Sequence, residues 1–387
     1  HLQYYAAGVE IRQYADGTWR REFPSGDVQV FYGRVTGERL LQYQLGPYSE
    51  QVVFHIYPSL AEAQMALVQG DVDYVLNPAR FRQDQAALLA NPEVRSLVNP
   101  QNAGYYLAFN LRKTPFNLPE FRQAVDVLLD REFLSREVLQ GAVLPSYSFI
   151  PEANRYWADP VRPEWWQASR QERLTQAVQI LRDAGWSWRS EPGWDPAKLT
   201  VIPGREVRLP SGEALTEIVL LSPAEAYDPH AASYNLWLAQ WLRDLGIPAR
   251  SVLTNPTTLY EQVLIGGMDF DLYIMGWELT LYPDYLCAWF YGQEDTFTSG
   301  GFNTTGFNDP QFDRLCESFW SADDFEEAQR QIFQLQAILQ TQRPVIPLFI
   351  PQVVDDINAA IELPYTNVLG GLPAVGGLQS AVQVPPQ

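Results

Sequence analysis

Along residues 105–141, YYLAFNLRKTPFNLPEFRQAVDVLLDREFLSREVLQG, the spacing of apolar positions changes once. YYLAF is a short aromatic and aliphatic run of the kind that packs in a sheet. Pro115 breaks it. Asn117 is then placed to cap a helix, with Glu120 three residues on completing a capping-box pattern. Phe121, Ala124, Val125, Leu128 and Leu129 recur at helical spacing and predict its buried face. The pattern alone assigns no role to Arg122, Asp130 and Arg131; charged residues on helix faces usually serve solvation or packing, so structural ion pairs and hydrogen bonds are expected of them.

Residues 9–57 predict β-rich structure. VEIRQYADGTWRREF alternates around an Asp16-Gly17 turn, and VVFHIY (52–57) reads as a strand. Ser59, with Glu62 at the reciprocal position, starts a short helix that Gly70 stops, and VDYVL (72–76) is the next strand. The middle of the chain repeats the alternation: EIVLLS (217–222), a helix over 233–246, IPARSVL (247–253), a helix over 255–267, and FDLYIMG (270–276). Strands and helices alternating through short connections predict a parallel α/β sheet, and such sheets place ligands at the carboxyl ends of their strands. That singles out the loops Ser222–Tyr227 and Gly276–Tyr285. A long helix over 324–342 is closed by Pro344, PVIPLFIPQVV follows as a Pro-punctuated strand, and the Pro/Gly-rich tail from 364 reads as irregular surface chain.

Length and charge narrow the classes. At 387 residues the chain exceeds what one core usually serves, so two lobes are expected. Lys and Arg number 27 against 46 Asp and Glu, a net charge of −19 that opposes binding to nucleic acid or anionic lipid. No apolar run approaches the ~20 residues of a membrane span. The opening HLQYYAAGVEIRQYADG has neither a basic nor an apolar leader region. Cys287 and Cys316 can close one disulfide or remain a free buried pair, and spacing does not decide between them. Neither they nor His55 and His230 have partners at metal-ligand spacing, so no metal and no cofactor is expected. No GxSxG, Walker or GxGxxG signature occurs. Asp323-Asp324 and Asp355-Asp356 read as a helix cap and a surface turn, because neighbouring acids in one segment seldom face each other across a substrate.

The order of the pieces is nonetheless distinctive. AEAQMALVQGDVDYVL, LAFNLRKTPFNLPEFRQAVDVLLDREFLSREVLQG, LTQAVQILRDAGW, LAQWLRDLGIPARSV, MDFDLYIMGWELTLYPD, FNTTGFNDPQFDRL and EEAQRQIFQLQAILQTQRPVIPLFI follow one another over about residues 50–354. In this order they resemble the C-terminal portion of bacterial extracellular solute-binding proteins of family 5, the oligopeptide, dipeptide and nickel-binding class of ABC importer. The second piece carries the most diagnostic block, with Asn110, Pro115, Phe116, Arg122, Gln123, Ala124, Asp130 and Arg131 in place. The resemblance implies an α/β fold of the type II periplasmic-binding-protein kind, in which two lobes with parallel or mixed sheets flanked by helices close over a ligand without covalent chemistry. It implies the permease subunits of an ABC importer as partners and an extracellular or periplasmic location, with membrane association through a missing N-terminal region. Residues 1–107 then correspond to the C-terminal part of lobe one and the first hinge strand, 108–342 to a complete lobe two, and 343–387 to the return strand and tail. Lobe one is thus expected to be incomplete, which predicts a well-ordered lobe two, little or no ligand affinity for this segment alone, and a lobe-one sheet edge that is occupied or self-associates with another copy.

The same resemblance directs attention to Gly276-Trp277-Glu278-Leu279-Thr280-Leu281-Tyr282-Pro283-Asp284. Peptide binders anchor the ligand's ammonium with an acidic residue shortly after the Gly-Trp strand end. Gly-Trp and Pro-Asp are retained here, but Leu, Thr, Leu and Tyr replace the intervening Asp and Gly residues typical of dipeptide binders. Glu278 or Asp284 can substitute electrostatically, while Trp277 and Tyr282 offer flat apolar faces for a peptide side chain or a sugar ring. Tyr227, after the 217–222 strand, is a further candidate by position. An oligopeptide is the expected ligand; an oligosaccharide, or a Trp-rich carbohydrate-processing enzyme, is the alternative.

Overall fold

The computed structural model describes residues 8–31, 35–46, 48, 51–75, 88, 90–159, 162–265, 268–295, 300–363, 369–372 and 382–383. Near the N-terminus, β1 (Glu10–Tyr14), β2 (Trp19–Glu22), β3 (Val28–Phe31) and β4 (Arg39–Gln44) form an antiparallel sheet in the order β3-β2-β1-β4. Gly17, at φ 85°, makes the turn between β1 and β2 that Asp16-Gly17 predicts. α1 (Leu60–Gln69) begins at Ser59, whose hydroxyl accepts from the Glu62 amide, and ends at left-handed Gly70. The segment VVFHIY before it is not a strand. Its residues 52–56 are exposed, Phe54 at 75% and Ile56 at 97%, so it buries no apolar face and has no strand beside it among the described residues.

The larger sheet has eight strands. It takes in β5 (Tyr74–Val75), β6 (Val94–Pro100), β7 (Ala103–Phe109) and β8 (Val143–Pro145). Two small antiparallel ribbons follow in the chain, β9 (Ser187–Ser190) with β12 (Arg205–Arg208) and β10 (Gly193–Asp195) with β11 (Thr200–Ile202). The sheet resumes with β13 (Ile218–Pro223), β14 (Ala249–Thr254), β15 (Leu272–Glu278) and β16 (Val345–Asn358). Its path runs β14-β13-β15-β7-β16-β5, with β6 and β8 also paired to β16. Only β13, β14 and β15 are parallel to one another; β7 lies antiparallel to both β15 and β16. The sheet is therefore mixed rather than parallel, because β7 and β16 arrive from outside the alternating strand–helix segment.

Both faces of this sheet are covered. On β7, Leu107 and Phe109 enter one core while Ala108 and Tyr106 face the other, as a strand's period of two requires. α2 (Pro119–Leu128), α3 (Arg170–Asp183) and α4 (Pro229–Asp244) pack on the first face. The second face carries α5 (Pro256–Tyr260), α6 (Tyr285–Phe290), α7 (Pro310–Trp320) and α8 (Phe325–Gln342). The start of α2 differs from the expected capping box: Leu118 is the cap residue, without a side-chain hydrogen bond, and Pro119 occupies the first turn. A proline there sacrifices no helical hydrogen bond and sets φ for the helix, so the Asn117 cap is not needed.

The charged residues of the diagnostic block are internal fastenings. Arg122, 4% exposed, donates to the carbonyls of Phe116 and Gln342; burial and the neighbouring Arg343 lower its pKa to about 10, which leaves it cationic at neutral pH. Arg131, 1% exposed, pairs with Asp126 at 2.6 Å and donates to the Pro347 carbonyl, and Asp126 also holds Arg343 at 3.0 Å. Asp130 caps the next helical turn by accepting from the Phe133 amide. Arg173, fully buried, ties the Ala168, Val127, Leu129 and Trp166 carbonyls together.

Cys287 and Cys316 form a disulfide that joins α6 to α7 across a sequence separation of 29. Asp324 caps α8 as predicted. Asp355 and Asp356, by contrast, are not on a surface turn but fully buried within β16. Being adjacent on a strand, they point to opposite faces. Asp355 accepts from the Tyr74 hydroxyl at 2.5 Å and the Leu372 amide at 3.0 Å, and Asp356 accepts from the Ser96 hydroxyl. In the tail, β17 (Ile361–Glu362) pairs with β18 (Val382–Gln383), while 364–368, 373–381 and 384–387 lie outside the described residues.

Asp126→Ala leaves the Arg131 cation buried beside an empty site and is expected to cost about 3–5 kcal/mol, read from urea unfolding. Replacing both cysteines by serine is expected to cost about 3–4 kcal/mol by releasing a closed loop in the unfolded chain, measured against the oxidised wild type in guanidinium. Burial raises the Asp355 carboxyl above its ordinary value, outweighing the two hydrogen bonds that lower it. The folded state thus holds a proton that the unfolded state releases, so this contribution to stability is complete below about pH 4 and is lost as pH rises through the folded pKa. The wild type should accordingly gain stability relative to Asp355→Asn as pH falls from 7 towards 4; a difference that is flat or opposite in sign would refute this assignment.

Candidate ligand site

The second face of the sheet carries an aromatic cluster at the N-terminal end of β7 and the C-terminal end of β15. These two ends coincide because the strands are antiparallel, with Gly276 opposite Tyr105, Trp277 opposite Gly104 and Glu278 opposite Ala103. Tyr273, Met275 and Trp277 share one side of β15 by alternation, and Tyr106 comes from the neighbouring strand. The Trp277 indole N–H donates to the Tyr106 hydroxyl at 2.7 Å, and the Tyr273 hydroxyl bonds to that of Thr304 at 2.6 Å. Trp289, on α6, completes the cluster with its ring 5.9 Å from Tyr106 and 6.2 Å from Trp277. Such offset aromatic contacts add to area burial and fix ring orientation.

Two adjoining cavities open against this cluster. The smaller, a shallow hollow partly open to solvent, is bounded by Tyr106, Tyr273, Met275, Trp277, Trp289 and Phe302 among others. The larger, also partly open to solvent, shares Tyr106 and Trp289 with the first. Its walls come from the start of β7, the segment after β8, Leu279, Phe290 on α6, and the first part of β16. It therefore sits where β7 and β16 leave the main sheet: β16 pairs with β7 and β8 along its first half and with β6 and β5 along its second.

The candidates from sequence are dispersed. Trp277 lines the smaller cavity and Leu279 the larger. Glu278, Tyr282, Asp284 and Tyr227 line neither. Glu278 is exposed at the end of β15. Tyr282 stacks on Phe319 at 5.1 Å and meets Trp157 edge-on at 5.3 Å, which is a packing position. Asp284 begins α6 and accepts from the Thr280 hydroxyl at 3.3 Å; Tyr227 is 57% exposed on the turn before α4. Tyr106, Phe149 and Trp289, which line these cavities, were not singled out by the sequence. Tyr106 was legible as the odd member of the YYLAF alternation, whereas Trp289 reaches the site only through the packing of α6.

Among the described residues lining the two cavities there is no acid, base, histidine or cysteine. Burial raises the phenols of Tyr106 and Tyr273 above their ordinary value, so both are neutral across the physiological range. No group of three or more His, Cys, Asp or Glu among the described residues is arranged to hold a metal ion. The arrangement presents an uncharged, largely aromatic surface against which an apolar group can pack.

Comparison with known proteins agrees with this architecture. The family model described as bacterial extracellular solute-binding proteins, family 5 Middle, matches residues 33–297. The chain is 23% identical over 312 residues to the oligopeptide-binding protein AppA of Bacillus subtilis, covering 79% of this chain and 51% of that protein. It is 25% identical over 320 residues to di/tripeptide-binding protein 3 of Pseudomonas aeruginosa, covering 81% and 52%. Among solved structures, Bacillus subtilis AppA in complex with a nonapeptide superposes with a TM-score of 0.62 at 18% identity, covering 98% of this chain and 66% of that one. The periplasmic murein tripeptide-binding protein MppA in its unliganded open form gives 0.63 at 18% identity, covering 85% and 56%. The chain thus spans about half the length of the curated relatives it matches. With more than half of its residues matched by the family model, it belongs to the bacterial extracellular solute-binding proteins of family 5.

Proposed function

We propose that this chain is part of the solute-binding component of an ABC importer, located outside the cytoplasmic membrane, and that it holds an oligopeptide-like ligand reversibly without altering it. The observation that carries this reading is the pair of uncharged aromatic cavities at the point where β7 and β16 leave the main sheet. A ligand seated there touches both the rigid, doubly covered sheet and the strands leading away from it, so its contacts differ between open and closed arrangements of the two parts. That difference is what a ligand needs in order to shift such an equilibrium. In this reading residues 108–342 form one lobe, 1–107 contribute to the other, and 343–387 return to it; the permease subunits of the importer are the protein partners. The names of the relatives, which bind oligopeptides or di- and tripeptides, support a peptide over a sugar.

Trp277 and Trp289 line the site, so ligand binding should perturb tryptophan emission, and calorimetry of the full-length protein against peptide and oligosaccharide pools tests the ligand class. Peptide binding is expected, weakened about tenfold or more by Trp289→Ala and left unchanged by Tyr227→Ala. Binding of oligosaccharides with no peptide response, or turnover of either pool, would overturn the proposal.

A further inference from the structure

The tip of a β-hairpin is ordinarily solvated, and the turn between β2 and β3 follows that rule: Pro24, Ser25, Gly26 and Asp27 are all exposed. The turn between β1 and β2 does not. Gly17 at its tip is buried, and Thr18 beside it is fully buried. Gly17 lies against the segment that follows β8. A Cβ there would stand 2.9 Å from the Tyr156 amide nitrogen and 3.0 Å from its Cα, so the two main chains meet with no room for a side chain between them.

The turn is braced in that position. One oxygen of the Asp16 carboxylate accepts from the Thr18 amide at 3.0 Å, and the other accepts from the amide and the hydroxyl of Thr36 at 2.8 Å each. The Thr18 hydroxyl accepts from the Val35 amide at 3.3 Å, and the Tyr14 amide donates to the Thr18 carbonyl at 2.9 Å. The segment it meets is tied as well. The Tyr156 and Trp157 carbonyls accept from Gln329 and Gln336 on α8. The Asn154 side chain donates to the Leu281 carbonyl at 2.9 Å, in the loop that follows Trp277 and Leu279, and Trp157 meets Tyr282 of the same loop edge-on. In the division proposed above, residues 1–107 and 108–342 belong to different lobes, so this contact joins them away from β7 and β16.

We propose that the Asp16-Gly17 turn is a latch: seated on Tyr156, it holds the two parts of the chain in the ligand-holding arrangement. Gly17 is then a positioning residue, acting on the ligand surface through Tyr156, Asn154 and Leu281. The proposal rests on the solute-binding reading above and adds to it the device that favours closure. A contact made in one arrangement and lost in the other biases the equilibrium between them by its own free energy. Glycine is required at the tip because any Cβ would unseat the turn.

The test compares Gly17→Ala with Gly26→Ala in the full-length protein, by hydrogen exchange and by calorimetry against the peptide pool. Gly26 has nearly the same left-handed φ, 90° against 85°, but nothing lies within 4 Å of where its Cβ would stand. Its variant therefore carries the backbone strain without the collision. The exchange readout is the pair of Trp157 and Ala158 amides, both bonded to the Asn154 carbonyl at 3.0 Å. Gly17→Ala is expected to speed their exchange about tenfold or more and to weaken peptide binding about fivefold or more, while Gly26→Ala changes neither. Should Gly17→Ala fail to fold, Gly17→Asn keeps the collision at lower strain and is expected to give the same two changes. Equal exchange at these amides in the Gly17 and Gly26 variants would overturn the latch. Faster exchange with unchanged peptide affinity would overturn its action on the ligand surface while leaving the solute-binding reading intact. Absence of peptide binding by the wild type would overturn that reading, and with it the assignment of the seated state to ligand holding, whatever the exchange shows.

Discussion

The structure is organised around the burial of β7 on both faces. With β15 on one side and β16 on the other, this strand has no free edge along most of its length, and each of its side chains is committed to one of two cores. The cost of shifting its register by one residue is the exchange of Tyr105, Leu107 and Phe109 for Tyr106 and Ala108, which would put the wrong volumes against both helical layers. One close approach makes the alignment tighter still. A Cβ on Gly276 would stand 2.4 Å from the Tyr105 ring, so the absence of a side chain there is what lets Tyr105 lie across its neighbour and stack on Phe349 at 4.3 Å. Fixing Tyr105 on one face fixes Tyr106 on the other, and with it the hydrogen bond that orients Trp277.

The buried arginines serve the same framework from the first face. Arg122, Arg131 and Arg173 direct most of their donors at main-chain carbonyls, many at the ends of helices or strands where no backbone amide is available to satisfy them. A guanidinium is suited to this because its planar fork reaches several acceptors at once. The carboxylates of Asp126 and Asp130 offset part of the charge. These groups join the helices of one layer to the returning strand β16 through directional bonds, which specify how the layers meet more narrowly than hydrophobic contact alone.

On the opposite face the chemistry is different in kind. The aromatic cluster is built from one residue of β7, alternate residues of β15 and one turn of α6, and its ionisable groups are phenols held neutral by burial. In the function proposed above, a surface of this composition would hold a ligand by desolvation and shape. The net charge of −19 is carried elsewhere on the chain, away from the residues that line the cavities.

Local pattern was sufficient for the elements whose signals are set by neighbours in sequence: the Ser59 cap and Gly70 stop of α1, the Asp324 cap of α8, the Gly17 turn, and the strands β13, β14 and β15. The succession of short motifs was sufficient to suggest the family. It was not sufficient where an outcome depends on partners distant in the chain. VVFHIY has strand composition but, among the described residues, no strand beside it, and Asp355-Asp356 reads as a surface turn until Tyr74, Ser96 and Leu372 satisfy it within β16. Likewise Gly276-Trp277 marked the end of β15 as a place of interest, but which side chains near it face a cavity was decided by the antiparallel register with β7 and by the docking of α6. That is why Trp277 and Leu279 line the cavities while Glu278, between them on the strand, points away: alternation is local, but which face is covered, and by what, is a property of the assembled sheet.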